Sequence, residues 1–476
     1  MRAVTRETII FHFTIYIVCF LANFASAQIG IWTSEDELSD IPKSGPAWEA
    51  VLNAADEADP DKATISSQGS NNNIEILAAA IVYARTGTNR YKNKVDDALD
   101  RLKSGGNPGG TTLAWARETA AYVMAADLIG YRKSSFRRWC KKVAHEYAAD
   151  DGRTLLEMFK QRPNNWGAMA FGSLAAIYVY LEDDGRLDDI RDHWIKMVKG
   201  PMPNEVEYGN DLSWHDDEDD LRLINPKNAR RRGMNIDGVI ADDLRRGGAF
   251  REPPRHTGYP WEHLQGLVTA ARILDRAGMS IWNVDDKAIY RAAYSLQVRF
   301  EDEYGGWAAE TNDTWMIPFL DAAYNTGWTQ DYDEDDAFIW SADKIAGWAY
   351  VALNQLNPVP DAPKDLTAEL KSGNEIELIW KDKANNESGF KIERSTDGGE
   401  SFNRIATVGK NKEKYTDTAT SASTHYCYRV YAYNGNGDSN FSNEKCIATL
   451  PASPENLSAN VVAANKVLLQ WDCLLY

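Results

Sequence analysis

A proline-rich stretch at residues 357–363, NPVPDAP, divides the 476-residue chain into two parts with different hydrophobic periods. Before it, apolar residues recur at three- and four-residue spacing, as in Ile74, Leu77 and Ile81. After it, apolar and polar residues alternate, as in the segment 376–380. A spacing near 3.6 is typical of helices and a period of two is typical of strands. The sequence therefore predicts a helical domain at 28–356, a linker at 357–363 and a β domain at 361–450.

The first part contains several segments with helical spacing. They are residues 74–82, 113–129, 136–149, 166–181, 261–277, 287–300 and 336–356. Gly87 and Gly278 are suited to end helices, and Pro260 is suited to the first turn of one. Many helices of medium length without an alternating strand pattern favour a mainly α fold built from stacked helical hairpins. An α/α toroid, an incomplete barrel of such hairpins, fits this length.

The second part combines predicted strands with a turn at Asp397-Gly398-Gly399. The strands are residues 376–380, 389–394 and 426–434. The positions of Leu366 and Trp380, and the pattern Tyr-x-Tyr-Arg-Val-x-Ala from Tyr426, resemble those of a fibronectin type III domain. The resemblance implies a small all-β sandwich at 361–450.

The C-terminal tail repeats the opening of that module. Pro454 and Trp471 are 17 residues apart, as are Pro363 and Trp380. Leu457 and Ala459 lie at the positions that Leu366 and Ala368 occupy in the first module. We therefore expect residues 451–476 to be the truncated start of a second fibronectin type III repeat.

The N-terminus has the pattern of a secretory signal peptide at 1–27. Arg2 and Arg6 precede a largely apolar stretch at 9–22, and Ala25-Ser26-Ala27 is a small-residue cleavage pattern. No later segment has the ~20 apolar residues that a membrane-spanning helix needs. The sequence predicts a secreted, periplasmic or cell-surface protein without membrane insertion.

The five cysteines do not form a disulfide framework by count alone. Cys140 lies in a helical pattern and is expected to be buried. Cys427 and Cys446 lie in the C-terminal module, where an oxidising compartment would allow them to pair. The chain has no CxxC and no HExxH, so we predict no metal site.

The charge of the chain is unevenly distributed. The net charge of −18 excludes a general nucleic-acid binder, which needs a basic surface. Residues 205–220 contain eight acids and no lysine or arginine, whereas residues 227–256 contain eight lysines and arginines against four acids. The two stretches either neutralise each other at the surface, or the arginines form an anion-binding groove, since a guanidinium binds both oxygens of a carboxylate.

Three short motifs stand out in the helical part: Asn164-Asn165-Trp166, Arg246-Gly247, and Tyr259 followed by Leu264-Gln265-x-Leu267. Asparagine is a preferred N-cap, so one of the two amides can cap the helix while the other faces a cleft. Tyrosine and histidine at the mouth of a helix are suitable proton-transfer groups.

Together these motifs resemble those of the alginate lyase superfamily of polysaccharide lyases. The resemblance implies an α/α toroid that cleaves a uronic-acid polymer, such as alginate or glucuronan. It implies that Asn165 binds the substrate carboxylate, Tyr259 is the catalytic tyrosine and Arg246 assists it. One branch of the superfamily has a histidine directly after the Asn pair, where this chain has Trp166.

The missing histidine leaves two candidates. His215 and His256 are both available, with His215 slightly favoured and Arg255 as the second catalytic arginine. The remaining predicted substrate-binding residues are Asn164, Trp166, Trp214, Arg246, Arg251 and Trp261, with the tryptophans packing against sugar rings.

The chemistry explains why these residue types would occur together. In β-elimination a base removes the proton on C5 of the uronate and the 4-O bond breaks, so the carboxylate charge must be neutralised by amide, imidazole or guanidinium groups. Tyrosine can then serve as base, acid or both, and the scheme needs no metal or cofactor. Two alternatives remain open: a glycoside hydrolase with paired carboxylates drawn from Glu205, Asp237, Asp242 and Asp243, or a non-catalytic carbohydrate-binding or adhesion protein.

Overall fold

The computed structural model describes residues 30–39, 41–333, 338–353, 360–384, 387–434, 437–453 and 455–472. The predicted signal peptide and residues 357–359 of the predicted linker lie outside these ranges. In the described part of the chain, no helix is long and apolar enough to cross a membrane.

Helices dominate the part of the chain before the linker. They are α1 Glu35–Ser39, α2 Pro46–Glu57, α3 Asn72–Thr86, α4 Asn89–Ser104, α5 Thr112–Leu128, α6 Ser134–His145, α7 Leu155–Gln161, α8 Asn165–Leu181, α9 Asp184–Lys199, α10 Ala241–Leu244, α11 Tyr259–Arg276, α12 Val284–Tyr294, α13 Glu301–Tyr304 and α14 Ile317–Tyr324. A π-helical turn, Ser295–Phe300, joins α12 to α13. The predicted helix ends are confirmed, because Gly87 has a left-handed φ of 65° after α3 and Pro260 lies in the first turn of α11.

The strands are short before the linker and longer after it. They are β1 Arg230–Arg231, β2 Met234–Asn235, β3 Ala342–Asp343, β4 Ala346–Gly347, β5 Lys364–Ser372, β6 Glu375–Lys381, β7 Gly389–Ser395, β8 Asn403–Gly409, β9 Lys414–Asp417, β10 His425–Asn434, β11 Gly437–Asp438, β12 Lys445–Ala448, β13 Glu455–Ala463 and β14 Lys466–Asp472.

The helical domain has an inner and an outer layer, as the α/α toroid prediction requires. Helix α3 packs on α5, α5 on α8 and α8 on α11, while α4, α6, α9 and α12 pack outside them. Every residue of α5 is buried, which fits its lack of a polar face. Helices α8 and α11 run in parallel, because Gly266 lies against Ala168 and Thr269 lies against Gly172.

The prediction of a helix at 336–356 was wrong for the described residues of that range. Strands β3 and β4 form a hairpin there, with φ of 48° at Lys344 and 107° at Gly347, and only a 3₁₀ turn follows at Ala349–Ala352. The hairpin contacts both α3 and α11, so it fills the gap in the ring of inner helices. Long-range bonds hold it there: the indole of Trp348 donates to Ile74 O (2.8 Å), and that of Trp32 donates to Gly347 O (2.9 Å). These tertiary contacts outweigh the local helical spacing.

Strands β5 to β12 form two packed sheets with a core separate from that of the helical domain. One sheet has the order β5-β6-β9; in the other, β7 pairs β8 and β10, and β10 also pairs β11 and β12. Leu366 and Trp380 from the first sheet and Phe390, Tyr428 and Val430 from the second are buried between them. Cys427 and Cys446 form a disulfide between β10 and β12, and Cys140 is free and buried, as predicted.

The tail hairpin β13–β14 repeats the pairing of β5–β6. Ala459 pairs Leu469 as Ala368 pairs Leu378, and both irregularities of register recur at the equivalent positions. The apolar side chains differ in exposure, however: Trp471 is 52% exposed and Trp380 1%. The tail therefore has the hairpin of the predicted repeat, without a second sheet over it among the described residues.

Candidate functional site

Asn165 and Tyr259 lie in the first turns of two inner helices, and both contact Arg246 of the 3₁₀ turn Arg245–Gly247. Helix α8 begins at Asn165 and α11 begins at Tyr259. Arg246 Nη1 donates to Asn165 Oδ1 (3.2 Å), and the Arg246 guanidinium carbon lies 3.4 Å from the centroid of the Tyr259 ring. Arg246 is exposed and Tyr259 half-buried. An amide, a cation and a phenol that are far apart in sequence are thus in direct contact.

The two asparagines have different roles. Asn164 caps α8, since its Oδ1 accepts from Trp166 N (3.1 Å). The Asn165 side chain is completely buried and bonds to Arg246 and to Glu262 Oε2 (2.7 Å). The resemblance implied that Asn165 binds the substrate carboxylate, but in this structure it holds two other side chains in place.

Two residues that the sequence motifs did not single out complete this network. Arg117 of α5 forms an ion pair with Glu262 Oε2 (2.5 Å), and the carbonyl of Arg117 accepts from Asn73 Nδ2 of α3 (3.3 Å). The N-terminal halves of α3, α5, α8 and α11 are therefore linked through polar contacts. Glu262 could have been found from the sequence, because it lies three residues after Tyr259 on the same helix face. Arg117 lies 145 residues from Glu262, and only the fold shows their contact.

A buried carboxylate, that of Asp243, contacts the backbone of Asn165 and the side chain of His263. Asp243 is fully buried; its Oδ1 accepts from Asn165 N (3.0 Å), and its Oδ2 lies 2.8 Å from His263 Nδ1. Burial raises the pKa of the Asp243 carboxyl, while the hydrogen bond to His263 acts in the opposite direction. Asp243 therefore fixes the start of α8 and joins it to α11.

Two further carboxylates, those of Asp313 and Asp343, lie near Glu262. Gln265 Nε2 donates to Asp313 Oδ1 (2.9 Å) and to Asp343 Oδ2 (3.3 Å). Burial, with the charges of Asp343 and Glu262, raises the pKa of Asp313 to about 6, although Gln265 opposes the shift. Burial likewise raises the pKa of Asp343, against the effect of Lys344. The site thus holds a carboxyl group that can be protonated near neutral pH.

The structure pairs only some of the arginines at 227–256 with acids. Arg231 pairs with Glu218, and Arg245 pairs with Asp242. Arg246, Arg251 and Arg255 are exposed, and within the described ranges they form no ion pair. Their positive charges remain available to an anion.

The two candidate histidines have different environments in the structure. His215 is 2% exposed, its ring lies 4.9 Å from that of Tyr208, and burial lowers its pKa to about 4. No hydrogen bond or ring contact of the described chain joins it to Asn165 or Tyr259. The exposed ring of His256 lies 5.1 Å from that of Trp307. His215 is thus buried beside Tyr208 and His256 is exposed, and the choice between the two histidines stays a prediction.

Two of the three predicted sugar-packing tryptophans are core residues. Trp214 is 1% exposed and donates to Gly248 O (2.8 Å), and Trp261 is 4% exposed and donates to Trp307 O (2.9 Å). Trp166 is half-buried and packs against the core. The prediction that Trp214 and Trp261 contact sugar rings was wrong, because both indoles are enclosed.

The acids first considered for a hydrolase are engaged elsewhere. Asp242 pairs with Arg245, Asp237 with Arg291, and Glu205 lies 3.7 Å from His193 Nδ1. The described residues contain no group of three or more His, Cys, Asp or Glu side chains arranged to hold a metal ion.

Comparison with known proteins identifies the C-terminal module. Residues 361–445 match the fibronectin type III domain family. Residues 361–445 form a fibronectin type III domain. The chain is 30% identical to an Fn3-like protein from Clostridium thermocellum, covering 20% of this chain and 96% of that one with a TM-score of 0.17. It is 23% identical to titin domains A168–A170 over 19% of this chain and 32% of that one, with a TM-score of 0.18.

One curated relative also matches over part of the chain. A protein named tyrosine-protein phosphatase Lar-like, from Caenorhabditis elegans, is 29% identical in an alignment of 123 residues, and the match covers 23% of this chain. The chain spans only 6% of the length of that relative.

Proposed function

We propose that the protein is a secreted polysaccharide lyase that cleaves a uronic-acid polymer, such as alginate or glucuronan, by β-elimination. The observation that carries the proposal is the contact of Arg246 with both Asn165 and Tyr259 at the first turns of two parallel inner helices. The unpaired Arg251 and Arg255 belong to the same loop, and helix N-termini add a favourable field for an anion.

In this scheme the exposed Arg246 neutralises the uronate carboxylate, which makes the C5 proton acidic enough to be removed. Tyr259 transfers protons at C5 and at the leaving 4-oxygen. Asn165 acts through Arg246 and is a positioning residue, because it is buried and already bonded. Arg255 and the exposed His256 are the further groups on this loop that can contact the chain of sugars.

The first prediction concerns Tyr259. Tyr259→Phe removes the phenol oxygen and keeps the ring against Arg246, so kcat should fall by about 10²–10⁴ with little change in polymer binding. Turnover is followed by the ultraviolet absorbance of the 4,5-unsaturated uronate, and binding by calorimetry. Tyr147→Phe, at a half-buried tyrosine outside the network, is the matched control. Full activity of Tyr259→Phe would refute the assignment.

A second candidate function is a glycoside hydrolase. The observation that favours it is the presence of two carboxyl groups with different environments. Glu262 forms an ion pair with Arg117, and the pKa of the nearby Asp313 is raised to about 6. A hydrolase needs one protonated and one ionised carboxyl group. Reducing ends without ultraviolet absorbance, lost in Glu262→Gln and Asp313→Asn, would identify a hydrolase. A protein that binds polymer but releases no ends would be a binding protein.

A further inference from the structure

A cavity of about 360 Å³ lies on the helical domain between the β1–β2 hairpin and the region from α12 to α13. Its lining consists of Asn235, Asp237, Tyr290, Arg291, Tyr294, Arg299, Asp302 and Glu303. No hydrogen bond, ion pair or ring contact of the described chain joins these residues to Arg117, Asn165, Arg246, Tyr259 or Glu262. The cavity is therefore separate from the candidate site, and its volume is at the small end of ligand pockets.

The floor of this cavity is rigid. Arg291 is 8% exposed and donates to Asn225 O (2.7 Å), to Asp237 Oδ1 (2.7 Å) and to Asp285 Oδ2 (3.0 Å). Gly238, with φ of 76°, lets its loop approach α12 so closely that a Cβ there would lie 2.2 Å from Arg291 O. The guanidinium is thus fixed by three neighbouring residues before any ligand arrives.

One wall of the cavity is aromatic. The Tyr290 ring is stacked on Trp328 at 5.9 Å and lies 5.4 Å from Tyr324, so its position is set by the core. The Tyr294 ring is 5.7 Å from that of Tyr290 and is 38% exposed. The two rings, tilted by 38° to each other, give the cavity an apolar wall that a ligand can contact.

The rim supplies hydrogen-bond acceptors. Asp302 and Glu303 are exposed and form no ion pair with another described residue. The lining carries three carboxylates, Asp237, Asp302 and Glu303, against the guanidiniums of Arg291 and Arg299. The three carboxylates would repel an anionic ligand, and the two guanidinium groups would repel a cationic ligand.

We propose that this cavity binds a neutral sugar unit, with its ring on Tyr294 and Tyr290 and its hydroxyl groups on Asp302, Glu303 and Arg299. Carboxylates accept hydrogen bonds from hydroxyl groups, and guanidinium groups donate to hydroxyl oxygens, so the mixed lining suits a polyol. The apolar face of a pyranose suits the tyrosine rings. The site goes beyond the proposed lyase function, because it would hold a sugar without a carboxylate.

The test is calorimetric titration of the full chain with four neutral trisaccharides: cellotriose, maltotriose, mannotriose and xylotriose. Trimannuronate serves as the anionic probe and choline as the cationic probe. We expect at least one neutral trisaccharide to bind, and Tyr294→Ala and Asp302→Asn each to weaken it at least tenfold. Tyr147→Ala, a half-buried tyrosine elsewhere, should leave binding unchanged.

Three outcomes would overturn the proposal. No neutral trisaccharide binds, or the neutral trisaccharide binds both variants as tightly as wild type, or the two substitutions weaken the binding of a charged probe and not that of a neutral trisaccharide. Because Tyr294 and Asp302 are exposed, both variants should fold, and circular dichroism checks this. Lyase activity is measured in parallel with the same variants. Lyase activity of the wild type tests the proposed function, and trisaccharide binding tests this cavity. Either result can fail without the other.

Discussion

At the scale of single residues, neighbours in sequence have very different environments. Asn164 caps a helix while Asn165 is buried in a charged network. Asp242 and Asp243 are both buried, but Asp242 pairs with the partly exposed Arg245 whereas Asp243 contacts the buried His263. Residue type alone could not distinguish the members of either pair, since both are equally suited to each role.

Asp243 is expected to be a major source of stability at the site. Asp243→Ala leaves the Asn165 N–H and the His263 ring without their buried partner, which should lower the free energy of unfolding by about 3 kcal/mol. Thermal unfolding followed by circular dichroism measures the loss. Asp188→Ala breaks a surface pair with Arg191 and should cost less than about 1 kcal/mol. Equal losses in the two variants would contradict this account of Asp243.

Asp313 should make stability depend on pH. Its pKa is about 6 in the folded chain, above the ordinary value of 3.8, so the folded state favours the protonated carboxyl. The stabilisation from this group is complete below the unfolded pKa and is lost as pH rises towards 6. Asparagine imitates the protonated form. The Tm of Asp313→Asn relative to wild type should therefore be higher at pH 7.5 than at pH 4.5, and a difference independent of pH would refute the shift.

At the scale of elements, the parallel helices α8 and α11 determine the site, since Asn165 and Tyr259 begin them. Their close approach depends on small residues. A Cβ on Gly266 would lie 2.3 Å from Ala168 O, within the backbone of α8. Neither a periodic pattern nor a short motif reveals this contact, because it joins two segments about 100 residues apart.

Gly266→Ala should separate α8 from α11. The expected loss is about 1–3 kcal/mol of unfolding free energy, because the backbone of α8 cannot move aside as a side chain would. Gly185→Ala in α9 is the matched control: a Cβ there meets nothing within 4 Å. It should raise stability by about 0.5 kcal/mol through helix propensity. Urea unfolding of both variants measures the difference, and a neutral Gly266→Ala would contradict the close packing.

At the scale of the whole molecule, the described chain has two hydrophobic cores without a shared residue, one in the helical domain and one in the fibronectin type III domain. The disulfide Cys427–Cys446 belongs only to the second. Each core should therefore respond to its own substitutions.

Removing the disulfide should affect one unfolding transition. Cys427→Ala with Cys446→Ala opens a loop of 19 residues, which should cost the β domain about 3 kcal/mol. Cys140→Ala, at a buried position in the helical domain, should shift only the other transition. Differential scanning calorimetry resolves the two, and a shift of both transitions in either variant would show that the domains unfold together.

The sequence alone predicted the change from a helical to a β part of the chain, the positions of α5, α8 and α11 and the strands of the fibronectin type III domain, and it marked Cys427 and Cys446 as able to pair. Periodicity, caps and turns are set by residues within a few positions of one another, so they can be predicted locally. Only the tertiary structure decided that 342–347 is a hairpin filling the ring, that His215, Trp214 and Trp261 are buried, and that Arg117 meets Glu262. Those outcomes depend on how helices far apart in the chain pack, because burial and long-range hydrogen bonds outweigh local preference.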